Sequence, residues 1–284
     1  MYASIIGNVI NFCLNAFFLF VLHKGVAGVA TATVISRIIN LVIVVLLGAV
    51  LVKAKQHPER ESNREVMGQI IRIGLPSACE TAIYNVSMTL VIRFLNQMDA
   101  QGLNVTARSY TMQITNFSYC VGAALAQANA IMTGWRIGAK EYDACDRGTR
   151  KAAIIGVIVA VILETMFALC SGWIMQLFSK DPQMVSLVGK LLAIDIVLEM
   201  GRVTNLVYGQ ALKTSGDAVF PVVMGACFMI LCSVGGTYLF GIRLGLLAVG
   251  AYIGMTGDEC VRAVGMYLRW KSGKWKEKGL VKSR

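Results

Sequence analysis

The chain has 284 residues, 56% of them hydrophobic and only 15% charged, with a formal net charge of +11 and a mean hydropathy of +0.63. A soluble domain carries about 25% charged residues, so an ordinary soluble enzyme is excluded. The eight cysteines form no Cys-x-x-Cys pair and the two histidines, His23 and His57, fall in polar connections; they suggest no metal centre, no disulfide framework and no cofactor.

Eight apolar stretches run approximately over 3–22, 26–52, 70–95, 105–133, 152–174, 184–211, 219–241 and 245–268. A bilayer core is about 30 Å thick and is crossed by roughly 20 apolar residues. Backbone in lipid must satisfy its own hydrogen bonds, so such segments are helices. The expected fold class is all-α: a polytopic membrane protein with eight transmembrane helices.

In chain order, the first stretch carries Asn8, Asn11 and Asn15 on one helical face. Amides there either hold helices together or line a passage. Residues 53–69 form the longest polar connection, with Pro58 inside it, and divide two helices from the following six. The segment Gly25–Thr33 is echoed by Gly245–Ile253, 220 residues later, with Gly25/Gly245 and Val29/Val249 identical. Both cross in the same direction, as in a parallel repeat about an axis along the membrane normal; shared small-residue composition is the plainer explanation.

The third stretch opens with Pro76 and Glu80. Glu80 either neutralises a helix N-terminus or faces a cavity together with Tyr84. The fourth bears Arg108, Tyr110, Gln113, Asn116, Tyr119 and Gln127, and the fifth a lone Glu164. The sixth concentrates the charge: Asp195, Glu199, Arg202 and Asn205 are spaced by 4, 3 and 3, which puts them near one face. Ionisable residues at membrane depth cost about 2.5–3.5 kcal/mol each on insertion scales and face protein or water. Two carboxylates beside one buried arginine are not both comfortably charged, and a proton-coupled site needs that frustration. A permanent Glu199–Arg202 pair that only orients the helix is the alternative.

The basic residues are distributed unevenly. Eighteen fall in the connection after the second helix, the connection after the fourth, the turn at Lys213 and the tail from Arg269 onward; four (Lys24, Arg93, Lys180 and Arg243) fall on the other side. Basic loops stay cytoplasmic, so both termini are expected inside, in a bacterial inner or plasma membrane. The same charge suits anionic membrane lipids as partners, and nucleic acid is not required.

Four segments carry a family resemblance. Ile73–Glu80 (IGLPSACE) resembles the opening of the seventh helix of multidrug and toxic compound extrusion (MATE) transporters. Ile194–Val222 resembles their tenth helix and the turn after it, Asp258–Lys278 the last helix and basic tail of a bacterial subgroup, and Met1–Asn15 the start of the fifth helix. The resemblance covers essentially the whole chain. It implies twelve helices in two lobes around a cavity with alternating access, and export of amphipathic, often cationic compounds against H⁺ or Na⁺. On that pattern residues 1–52 are the last two helices of an N-terminal lobe, 53–69 a cytoplasmic interlobe loop, 70–268 a six-helix C-terminal lobe and 269–284 a basic cytoplasmic tail. The pattern's first four helices precede Met1, so the expectation is a fragment whose partner is those missing N-terminal helices.

The resulting expectations are specific. Glu199, Asp195 and Arg202 carry ion coupling, and Glu80, Tyr84, Gln113 and Asn205 line the substrate cavity. The chemistry is transport of a small molecule, not enzymatic catalysis. A rival is a lipid-linked sugar flippase of the same superfamily, whose cavity should be strongly basic. Here two acids accompany one arginine and Arg37, Arg108 and Arg262 sit nearer helix ends, which favours a cationic cargo. A nonfunctional remnant or structural membrane subunit is a third reading.

Overall fold

The computed structural model describes residues 2–53, 63–99 and 102–277. These residues form helices joined by short turns, with no strand among them. The helices are α1 (Tyr2–Ala16), α2 (Gly25–Lys53), α3 (Asn63–Met98), α4 (Leu103–Gly138), α5 (Tyr142–Leu169), the short α6 (Ser171–Met175), α7 (Pro182–Thr214), α8 (Val219–Phe228) and α9 (Leu247–Lys271). Wider π-helical turns extend α1 over Phe17–Val21 and α8 over Met229–Val234 and Thr237–Arg243. The polar connection at 54–62 and the tail from 278 lie outside the described residues. The chain divides into two compact units, Met1–Glu65 and Val66–Arg284.

The apolar stretches locate each long rod, but the rods outrun them. α3 begins at Asn63, not near residue 70, so Pro76 lies inside the helix and Glu80 is well past its first turns. α5 begins at Tyr142, ten residues before its apolar run. Asp181 caps α7, its carboxylate accepting from the Gln183 N–H at 3.0 Å, with Pro182 at the first helical position.

In the first unit α1 packs on α2. Asn11 donates to the Ser36 hydroxyl at 2.8 Å and Asn15 to the Asn11 carbonyl at 3.0 Å, so this amide row joins helices. The internal echo is present as backbone geometry, but two residues away from the spacing of 220. Leu22 N–H donates to Phe17 O and Lys24 N–H to Phe18 O; Leu244 and Leu246 do the same to Leu239 and Phe240. His23 and Gly25 have φ of 49° and 54°, and their counterparts Gly245 and Leu247 have 67° and 53°. Each pair is 222 residues apart. The left-handed sites accept His23 and Leu247, so glycine identity at 25 and 245 misaligns the repeat. Gly28 and Gly250 occupy the next equivalent place, and a Cβ at either would press on Phe18 or Phe240.

The second unit is built around α7, which packs on α4, α5 and α9. Its N-terminal half joins one apolar cluster through Val188, Leu191, Leu192 and Leu198, packed with Val91, Leu95 and Tyr252. Its C-terminal half joins another through Val203, Val207 and Ala211, with Ala153, Ala160 and Met266. The polar residues of α7 lie along the rod between these clusters. Gly201 sets the α7–α9 approach: a Cβ there would lie 2.9 Å from the Cys260 backbone nitrogen and 3.0 Å from the Glu259 carbonyl carbon.

The end of α9 is fastened rather than free. Trp270 Nε1 donates to Asp146 at 2.8 Å, Trp275 Nε1 donates to the Trp270 carbonyl at 2.9 Å, and the two indoles stack at 4.1 Å. Arg269 donates to Asp217 at 2.6 Å. The described start of the basic tail, up to Glu277, is thus docked on the second unit through its tryptophans.

The burial pattern is inverted relative to a soluble protein. On α5, Ile154, Ile158 and Ile162 are exposed while Glu164 is completely buried. Three helical spans among the described residues are long and apolar enough to cross a membrane: Gly25–Ala49, Tyr142–Leu169 and Val219–Arg243, of mean hydropathy 2.2, 2.5 and 2.1.

Candidate functional site

Two contiguous cavities open in the second unit, of about 410 and about 200 Å³. Tyr84, Tyr119 and Arg202 line both. The Arg202 guanidinium also lies 5.9 Å from the Tyr119 ring centroid, within reach of a cation–π contact.

Arg202 anchors an ion network that spans α7 and α9. Its Nη1 donates to Glu199 Oε2 at 2.8 Å, and its Nε lies 3.6 Å from Glu259 Oε1. Asn205 Nδ2 donates to Glu259 Oε2 at 3.0 Å. Arg262 then holds Asp258 bidentately, at 2.9 and 3.0 Å, and reaches Glu259 at 2.9 Å. Ser233 donates to the same Asp258 oxygen that Arg262 Nη2 reaches, at 3.0 Å. The close approach at Gly201 brings the two charged faces together. In a low-dielectric interior such a network persists only where each charge is opposed and hydrogen-bonded.

The network is unevenly satisfied. Glu199 Oε1 and Asp195 Oδ2 are buried without a hydrogen-bond partner, as are both carboxyl oxygens of Glu164. Asp195, Glu199 and Arg202 are electrostatic neighbours of Glu164, whose side chain comes in from α5 beside Ser118. An unpartnered buried carboxyl is costly. Four carboxyl oxygens without a partner, on three buried acids, thus lie around one guanidinium.

The residues expected from sequence distribute as follows. Asp195, Glu199 and Arg202 converge. Glu80 and Tyr84 line the larger cavity with Asn205. Glu80 does not neutralise a helix end; it pairs with Lys213 of α7 at 2.5 Å. Gln113 is exposed and lines neither cavity, whereas Asn116, nearly one turn on, lines the smaller one. Lys213, placed in an inner turn by sequence, lies on the cavity wall.

The arrangement also corrects the argument about charge. Arg262 is mid-helix and buried in the network, and Arg108, on the second turn of α4, is buried and lines the smaller cavity. Together the two cavities present Arg108, Arg202, Lys213 and Arg262 against Glu80, Asp195 and Glu259. The lining is therefore mixed, not predominantly acidic. Sequence reasoning missed Asp258, Glu259 and Arg262 as a unit, although an acid pair four residues before an arginine inside an apolar run was the available signal.

The family model MatE matches residues 76–239. The uncharacterized transporter YisQ of Bacillus subtilis is 33% identical over 99% of this chain and 63% of its own length. The probable multidrug resistance protein NorM of Thermotoga maritima is 23% identical, over 91% of this chain and 56% of its own. The eukaryotic MATE transporter AtDTX14 superposes with a TM-score of 0.86 at 18% identity, over 98% of this chain and 62% of that one. A MATE crystal structure in the straight conformation gives 0.82 at 19%, over 97% and 63%. The chain thus spans 56–63% of the length of these relatives. With the model match covering more than half of its residues, the chain belongs to the MatE family, that of the multidrug and toxin extrusion transporters.

Proposed function

We propose that this chain is part of a secondary antiporter that exports small amphipathic molecules in exchange for H⁺ or Na⁺. The observation that carries the reading is the Arg202–Glu259 pair on the wall of the 410 Å³ cavity, with Glu199 buried behind it on Arg202 and Asp195 on the wall of the smaller cavity, each of these two acids keeping one carboxyl oxygen without a hydrogen-bond partner. A cavity of this size suits a small organic ligand. Cargo and coupling ion can compete for the same carboxylates there, and that competition is the thermodynamic core of antiport. The proposal includes eight membrane-crossing rods. Of the five beyond the three most apolar spans, Ile5–Val21 is apolar but short, and the other four carry polar faces that lower their mean hydropathy. It also places both termini in the cytoplasm.

The flippase reading asks for several unpaired cations to hold a pyrophosphate. Lys213, Arg202 and Arg262 are each bonded to carboxylates, so the antiporter is the better fit.

The test is proton release on cargo binding. Tetraphenylphosphonium would be titrated calorimetrically into the purified chain in lipid nanodiscs, in buffers of different ionisation enthalpy, with and without Na⁺. The expected result is binding that releases protons or competes with Na⁺, and loss of that linkage in Glu199→Gln. Binding with no proton or Na⁺ linkage would sink the antiporter reading. A purely structural Glu199–Arg202 pair predicts something else: loss of folded protein in Glu199→Gln, by about 3–5 kcal/mol for an orphaned buried charge, and recovery of both abundance and linkage in Glu199→Gln/Arg202→Met.

A further inference from the structure

Arg108 stands apart from the other cations of the lobe. It is 4% exposed, and its Nη2 reaches only the Met88 sulfur at 3.5 Å. Its Nε has no hydrogen-bond partner, and among the described residues no carboxylate pairs with it. Guanidinium is not deprotonated in proteins, so this is a permanent positive charge without a counterion. Leaving such a charge buried is expensive, and a thioether is a weak acceptor. The space left to it is the smaller cavity that it lines.

That cavity is shaped for an anion of small size. Its about 200 Å³ is below the range of drug-sized pockets, and holds a carboxylate on one aromatic ring. Arg202 also lines it but is already paired with Glu199 and Glu259, so Arg108 is the one unpaired cation in the wall, and Thr115, Asn116, Tyr84 and Tyr252 add hydroxyl and amide donors. Tyr252, which lines the cavity with them, is an electrostatic neighbour of both Arg108 and Asp195, the one acid in the wall. Arginine suits carboxylates because its planar fork meets both oxygens.

We infer that the smaller cavity is a carboxylate-binding subsite, with Arg108 as its principal ligand. Because Tyr84, Tyr119 and Arg202 are common to both cavities, one molecule can occupy the two: an amine toward Glu80 and Glu259, a carboxylate at Arg108. The cargo class is then amphoteric rather than simply cationic. The assignment of that carboxylate to a cargo rests on the antiporter reading, whereas the subsite does not.

Equilibrium binding tests it, using the intact chain in nanodiscs without any ion gradient, so that failure of antiport and failure of the subsite are separate results. The probes are benzoate, benzylamine, 4-(aminomethyl)benzoate and methyl benzoate. Benzoate and 4-(aminomethyl)benzoate should bind, methyl benzoate should not, and Arg108→Gln should weaken both carboxylates at least tenfold while leaving benzylamine unchanged. Arg108→Lys, which keeps the charge and loses the fork, should fall between. Tighter binding of 4-(aminomethyl)benzoate than of benzoate or benzylamine supports the subsite and assigns it to an amphoteric cargo. Benzoate binding with no gain from the amine supports the subsite and assigns it to a free carboxylate. Methyl benzoate binding as well as benzoate overturns the inference without any variant, as do equal benzoate affinities in Arg108→Gln and the parent.

Discussion

Glu164 is 0% exposed, and neither carboxyl oxygen has a well-formed hydrogen bond, the Ser118 hydroxyl being the one polar donor beside it. A fold has no stability reason to keep such a group, since each unsatisfied buried polar atom costs about 1–3 kcal/mol. Glu164→Leu removes that cost at similar volume and should raise stability by about 1–3 kcal/mol. Thermal unfolding of the two proteins in the same detergent reads this out; a lower melting temperature in the variant would mean the carboxyl has a stabilising partner after all. If the group serves transport, the stabilised variant should lose cargo–ion linkage, the usual exchange of stability for function. The residue was visible in the sequence as a lone acid in an apolar run. Its neighbours were not, because Ser118, Asp195 and Glu199 reach it from other helices.

At the scale of elements, the α7–α9 contact assembles the network, and Gly201 permits it. A methyl group at Gly201 would meet backbone atoms, which cannot swing aside as a side chain can. Gly201→Ala should therefore separate the helices and cost about 1–3 kcal/mol, as overpacking does. It should also loosen Asn205–Glu259 and Arg202–Glu259, seen as a larger loss of cargo binding than of folded protein. Unchanged melting temperature and binding would show that α9 can slide to accommodate the methyl. Element positions were legible from hydropathy, whereas their ends were not. Hydropathy reports the length of rod that faces lipid; backbone hydrogen bonds carry α3 and α5 beyond it through charged residues. The repeat was legible as an echo but off by two residues, since Leu247 occupies a left-handed position that sequence reasoning reserves for glycine.

For the whole molecule, the testable statement is its orientation. In a cysteine-free background, Lys140→Cys, between α4 and α5, should resist a membrane-impermeant maleimide in intact cells, and Lys180→Cys, between α6 and α7, should react. The reverse labelling would invert the topology. The positive-inside argument supports this orientation through the basic residues near Lys140, and the docked tryptophans place the end of α9 beside Asp146 at the start of α5, on the same face of the lobe.

The sequence alone determined that the chain is all-helical and made for lipid, because composition and the length of apolar runs are properties of the chain and need no partner. It also determined that α7 carries the charged face, since residues three and four apart share a side of any helix. Only the tertiary structure decided what that face meets. Asp258, Glu259 and Arg262 join it from α9, Lys213 takes Glu80, and Arg108 is left without a counterion. These pairings depend on helix approach and rotation, which small residues such as Gly201 set and periodicity along one helix cannot encode. The change in cavity character from acidic to mixed follows from that alone.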